Sequence, residues 1–132
     1  MHTLVLTALL LIPQQIPKND PNGLWLATTG TEYEIRLVGT DLQVQIVPGS
    51  SATYLEYTVE LMGTEEPNTY NGMGHVKARL QNGRECEFET TWQVVVVAPG
   101  RIIGSATQIV PDPETCEILE TGNLQLDLQR KQ

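Results

Sequence analysis

From Gly23 onward, nearly every segment of this chain alternates apolar and polar residues with a period of two. Side chains two positions apart share one face of a strand, so each segment carries one apolar and one polar face. Gly, Pro, Asn and Asp interrupt the pattern about every 8–12 positions, the spacing of short antiparallel strands joined by turns. No stretch after residue 12 has a helical period. The chain is predicted to be all-β, with strands over 23–28, 31–38, 41–48, 54–63, 69–80, 84–97, 102–110 and 116–129. Short consecutive turns make sequential strands neighbours. A meander of about eight such strands closes into an antiparallel up-and-down barrel, which removes exposed edges. A two-sheet β-sandwich of the same strands is the alternative.

Turn chemistry fixes the register. Gly39-Thr40 fits a two-residue turn with Gly first, and sets Leu37 opposite Leu42, Ile35 opposite Val44 and Tyr33 opposite Ile46. A three-residue loop, Gln81-Asn82-Gly83 with Gly83 left-handed, pairs Val76 with Phe88 and Ala78 with Cys86 inside. The same assumption pairs Arg79 with Glu85, Lys77 with Glu87 and His75 with Glu89 outside, so the acidic row reads as a solvated face of cross-strand charge pairs rather than a calcium site. The sixth and seventh strands meet at Pro99-Gly100 with Ala98 opposite Arg101. Counting back sets Trp92 opposite Thr107 and Cys86 opposite Pro113, close to Cys116. A Cys86–Cys116 disulfide is therefore predicted, as suits an oxidising compartment.

With 132 residues the chain has room for one domain. Residues 23–132 form it, after a Pro-rich linker over 13–22 and an apolar leader over 1–12. The leader's run of about ten apolar residues suits a signal-peptide core and is too short for a membrane-spanning helix. It lacks a preceding Lys or Arg and a following A-x-A site, and a buried N-terminal strand is the alternative. Leader and cysteines together point to a secreted or periplasmic protein. Sixteen acidic against eight basic residues give a net charge of −8. Such a surface repels phosphate backbones and anionic lipid, which sets nucleic acid aside as a partner.

Gly23-Leu24-Trp25 resembles the G-x-W that opens the first strand of lipocalins and avidin-like barrels. Gly30-Thr31 followed by Tyr33 and Ile35, and Thr90-Thr91-Trp92, resemble stretches of the avidin pattern. The likeness covers about a fifth of the chain and implies a calycin-type small β-barrel. The lipocalin T-D-Y between the sixth and seventh strands is missing, the third strand reads L-Q-V-Q-I-V, and the eighth lacks the avidin aspartate motif. The resemblance therefore implies architecture, not biotin binding.

Little in the sequence supports catalysis. After the leader the one histidine is His75, placed outside, and Ser50 and Ser51 lie in a loop with no base assigned beside them. No clustered metal ligands and no phosphate-binding glycine loop are present, and Gly72 and Gly74 in mid-strand mark a bend, bulge or close approach. No catalytic residue, metal or cofactor is assigned. The leading expectation is a non-catalytic module that self-associates or assembles through the sixth–seventh hairpin, with a small-ligand carrier as the alternative and an enzyme of unknown class behind both. Tyr33, Tyr57, Thr90, Trp92, Ser105 and Thr107, all placed inward, combine aromatic walls with hydroxyls, as a pocket for a small apolar or aromatic ligand would. Val95, Val97, Ile102 and Val110, placed outward on the sixth and seventh strands, form an apolar row suited to a homo-oligomer or protein partner. An internal cavity favours the carrier; a filled barrel with a flat apolar outer face favours assembly.

Overall fold

The computed structural model describes residues 19–132, so the leader and the linker up to residue 18 lie outside the described residues. The strands are β1 (Gly23–Ala27), β2 (Glu32–Val38), β3 (Asp41–Ile46), β4 (Tyr54–Gly63), β5 (Thr69–Arg79), β6 (Glu85–Ala98), β7 (Arg101–Pro111) and β8 (Ile118–Arg130). Each pairs antiparallel with the next, and β8 pairs with β1, giving a closed up-and-down barrel. The sandwich alternative is ruled out, and the described residues contain no helix.

Period-two alternation becomes burial along β3, whose Leu42, Val44 and Ile46 point inward and are buried while Asp41, Gln43 and Gln45 are exposed. The expected β2–β3 register holds for all three pairs. Leu42 is 1% exposed, but its partner Leu37 reaches the barrel rim and is 36% exposed. Gly39, at the first turn position, takes φ 64°. Fully burying a Leu, Ile, Val or Phe is worth roughly 1.5–3 kcal/mol. Ile35, Leu61, Val96, Ile102 and Leu128 supply such contacts through the length of the barrel.

The β5–β6 register is also as predicted: Val76 faces Phe88, Ala78 faces Cys86, and Glu85, Glu87 and Glu89 lie across from Arg79, Lys77 and His75. Gly83 adopts φ 87° in the three-residue loop. The ion pairs themselves run partly on the diagonal. Glu85 holds both Arg79 at 3.2 Å and Lys77 at 3.4 Å, and His75 reaches Glu87 at 3.2 Å. Diagonal neighbours in a twisted sheet are within reach of long side chains.

One register differs by a residue. Ala98 faces Arg101 as expected, but Val97 is bulged out and Val96 faces Ile102. A one-residue slip exchanges the two faces of the partner strand. Trp92 therefore lies opposite Ala106, not Thr107, and Ile102 moves from the expected outer row into the core, 1% exposed.

The two barrel ends differ in construction. At one end Asn19 to Asn22, expected as linker, cross the opening. Asn19 donates to the Val96 carbonyl at 2.8 Å, and buried Pro21 offers its carbonyl to Trp25 Nε1 at 2.8 Å. At the other end the wall is incomplete. β6 pairs with β7 only from Trp92 to Ala98, and β8 pairs with β1 only through Leu128, Gln129 and Arg130. Thr107–Pro111 and Ile118–Asn123 thus form a two-stranded ribbon whose ladder pairs are with each other and not with β6 or β1. The Cys86–Cys116 disulfide, with Cα atoms 5.5 Å apart, ties the ribbon's tip to the start of β6.

Candidate functional site

The open end holds a cavity of about 290 Å³. Its walls come from the β1–β2 turn, the inward faces of β4, β5 and β6, and the overhanging β7–β8 ribbon. Four aromatic side chains organise it. Tyr33 meets Tyr57 edge to face (5.8 Å between ring centres, 89°), Tyr54 meets Tyr57 (5.2 Å, 83°), and Trp92 packs below against Tyr33 (5.6 Å) and Tyr57 (5.7 Å). Edge-to-face contact sets the electropositive ring edge on the electronegative face, which fixes the rings in place.

The polar atoms divide into two sets. Trp92 Nε1 donates to the Tyr57 hydroxyl at 2.9 Å, and Thr90 Oγ1 donates to the Thr107 carbonyl at 3.0 Å, just past the last β6–β7 ladder pair. Thr31 and Thr29 join their hydroxyls at 3.2 Å. The Tyr33 and Tyr54 hydroxyls, by contrast, have no hydrogen-bond partner among the described residues, and neither is a sealed, orphaned polar atom. Both residues line the cavity, and their hydroxyls keep some accessible surface. Burial pushes the Tyr33 and Tyr54 phenols up, and for Tyr33 the nearby Tyr57 and Tyr54 push the same way. Burial also raises Tyr57, opposed by the hydrogen bond it accepts from Trp92.

Of the six residues expected to form a pocket, Tyr33, Tyr57 and Thr90 line the cavity. Thr107 touches it too, but its hydroxyl turns outward to Thr91 Oγ1 at 2.7 Å. Trp92 supports the aromatic cluster from below without lining the cavity, and Ser105 faces outward opposite Gln93, a consequence of the bulge at Val97. The sequence reading missed Tyr54. A bulge between Tyr54 and Glu56 turns it to the same side as Tyr57, against the alternation.

The outer row is shorter than expected. Val97 and Val110 are 44% and 42% exposed, Val95 is half-buried opposite exposed Ile103, and Ile102 lies in the core. Beyond Val95 and Ile103 the outer face turns polar at Gln93, Ser105 and the Thr91–Thr107 pair.

The remaining candidate groups serve turns and surface pairs. Ser50 Oγ donates to the Val47 carbonyl at 2.7 Å and accepts from Glu32 N, and Ser51 Oγ accepts from Thr53 N and Tyr54 N. His75 is exposed, with its Nε2 3.2 Å from Glu87 Oε1. Among the described residues no three His, Cys, Asp or Glu side chains converge to hold a metal. Among the described residues, the cavity lining combines aromatic walls with hydroxyls and holds no nucleophile–base pair. No family model, curated protein or solved structure matches this chain.

Proposed function

We propose that this barrel is a non-catalytic carrier that holds a small apolar or aromatic ligand at its open end. The observation that carries the reading is the cavity of about 290 Å³ walled by Tyr33, Tyr54, Tyr57 and Phe88 and bounded by inward aliphatic side chains. Ligand pockets run from roughly 300 to 1,000 Å³, so the occupant is smaller than a typical drug. The incomplete wall beside the β7–β8 ribbon gives such a molecule a way in. The G-x-W resemblance to lipocalin- and avidin-type barrels supports the same architecture-based reading. The disulfide favours a secreted or periplasmic setting. Isothermal titration with naphthol should give saturable one-site binding, lost on filling the cavity with Ala78→Phe. No saturation, or binding unaffected by that variant, overturns the proposal.

A second reading is self-association through the outer face of β6 and β7, favoured by the adjacent apolar side chains of Val95, Val97 and Ile103. Association costs at least about 4 kcal/mol in lost freedom, so this short row needs neighbouring area to succeed. A wild-type monomer in sedimentation at high concentration overturns it. A dimer that Val97→Lys converts to a folded monomer supports it.

A further inference from the structure

We infer that the cavity selects an uncharged one- or two-ring aromatic molecule bearing a hydrogen-bonding oxygen, anchored by the hydroxyls of Tyr33 and Tyr54. The inference rests on the carrier reading and specifies its ligand class.

Three observations lead to it. The first concerns charge. Among the described residues, no Arg, Lys or His lines the cavity. Asp127 contributes to the wall, but it sits on an outward position opposite Ile103, and its carboxylate is held by Arg101 through contacts of 3.2 and 3.0 Å. An ionised ligand would leave water without meeting a counter-ion, the arrangement that most disfavours burial of charge. The protein's net charge of −8 acts against anions a second time.

The second concerns the rings. A cation is held over open aromatic faces. Here Tyr33, Tyr54, Tyr57 and Trp92 meet edge to face, so each contact spends a ring face on a neighbour. The cluster is a rigid apolar wall rather than an open cage for an ammonium group.

The third concerns hydrogen bonds. Trp92, Thr90 and Thr29 direct their donors to protein partners, the last to the Thr31 hydroxyl. The Tyr33 and Tyr54 hydroxyls are the cavity phenols with no partner among the described residues. A phenol both donates and accepts, so a ligand hydroxyl or carbonyl would satisfy groups that an unsubstituted arene leaves unmatched.

The test compares naphthalene, naphthol, naphthoate and naphthylmethylammonium by isothermal titration against the full chain at neutral pH. Naphthol should bind tightest, with both ions weaker by roughly 30-fold or more. The double variant Tyr33→Phe/Tyr54→Phe keeps the rings. It should weaken naphthol by about 3- to 10-fold per lost bond and leave naphthalene unchanged. Naphthoate or the ammonium binding as tightly as naphthol overturns the inference while the carrier reading stands. The same holds if the double variant binds naphthol as wild type does. Failure of both naphthalene and naphthol to bind overturns the carrier reading and this inference with it. The wild-type comparison requires no variant to fold.

Discussion

The Arg130 guanidinium lies over the Trp25 ring, 4.5 Å from its centre. Trp25 is fully buried, and Arg130 covers it while donating to the carbonyls of Pro99, Asp20 and Asn22. One side chain near the C-terminus thus joins the N-terminal strap, the β6–β7 turn and the first strand. Gly23 makes room for it: its φ is 133°, and a Cβ there would lie 2.8 Å from Arg130 Nη1. The closed end is therefore a cation–π lid with its donors satisfied by backbone.

Arg130→Ala should destabilise the protein by about 2–4 kcal/mol, through loss of the stacked cation and of charge-assisted bonds to three carbonyls. Urea unfolding monitored by fluorescence measures it. Arg130→Lys should recover only part, because a point charge cannot reach three carbonyls while lying flat on the ring. A full recovery by Lys would show that charge alone matters at this site.

Removing the disulfide with Cys86→Ser/Cys116→Ser should cost roughly 3–4 kcal/mol, the chain-entropy value for a 30-residue separation. The loss should not be uniform. Beyond the Thr90 and Thr91 side-chain bonds to Thr107, the ribbon has no ladder bonds to β6 over Thr107–Pro111, so its tip is tied by the disulfide, aided by Asn82 Nδ2 donating to the Pro113 carbonyl at 2.8 Å. Hydrogen exchange should therefore rise first in the β7–β8 ribbon, with β2 to β5 still protected. Equal loss of protection in all strands would contradict this order.

Where the sequence was legible and where it was not follows from the same local chemistry. Gly39 and Gly83 announce their turns because left-handed backbone favours glycine, and each turn then propagates one register through a whole hairpin. Bulges carry no such marker. Residues 94–97 are four consecutive valines, so nothing in the pattern tells which of them leaves the ladder. The bulge falls at Val97 and reverses the expected facing of Ile102, Ser105 and Thr107. Tyr54 is hidden in the same way by the irregularity beside Leu55. The barrel was thus readable from alternation, whereas half of the cavity wall depends on two residues that break it.

Gly72→Ala should be severe. A Cβ at Gly72 would lie 1.8 Å from the Glu60 carbonyl oxygen and 2.8 Å from the Leu61 Cα, both backbone atoms that cannot turn aside. This is the close approach that a mid-strand glycine permits. The substitution must displace β4 from β5, and a loss of about 3 kcal/mol or more, or failure to fold, is expected. Gly100→Ala is the control, since a Cβ there meets nothing within 4 Å. Thermal melts of the two variants side by side decide it, and similar melting temperatures would refute the close-packing argument.

Stability should fall in alkali before the tyrosines of the folded protein ionise. Burial raises the pKa of Tyr33, Tyr54, Tyr57 and Tyr70 above the ordinary value. An unfolded tyrosine loses its proton near pH 10, while the folded one keeps it, so above that pH the unfolded state binds fewer protons. Their contribution is thus fully present below about pH 10 and is lost progressively as pH rises beyond it. The acid side has the opposite sign. Hydrogen bonds from Arg79 and Lys77 lower Glu85, and a hydrogen bond from Arg101 lowers Asp127, so stabilisation present above the ordinary carboxylate range is lost as pH falls through the folded values. These carboxylates are exposed, and the acid effect should be small and suppressed by salt. Melting temperature against pH should therefore drop more steeply on the alkaline side, with tyrosinate absorbance appearing together with unfolding. Tyrosines that ionise in the ordinary range while the barrel stays folded would mean that the cavity phenols are far more hydrated than their packing implies.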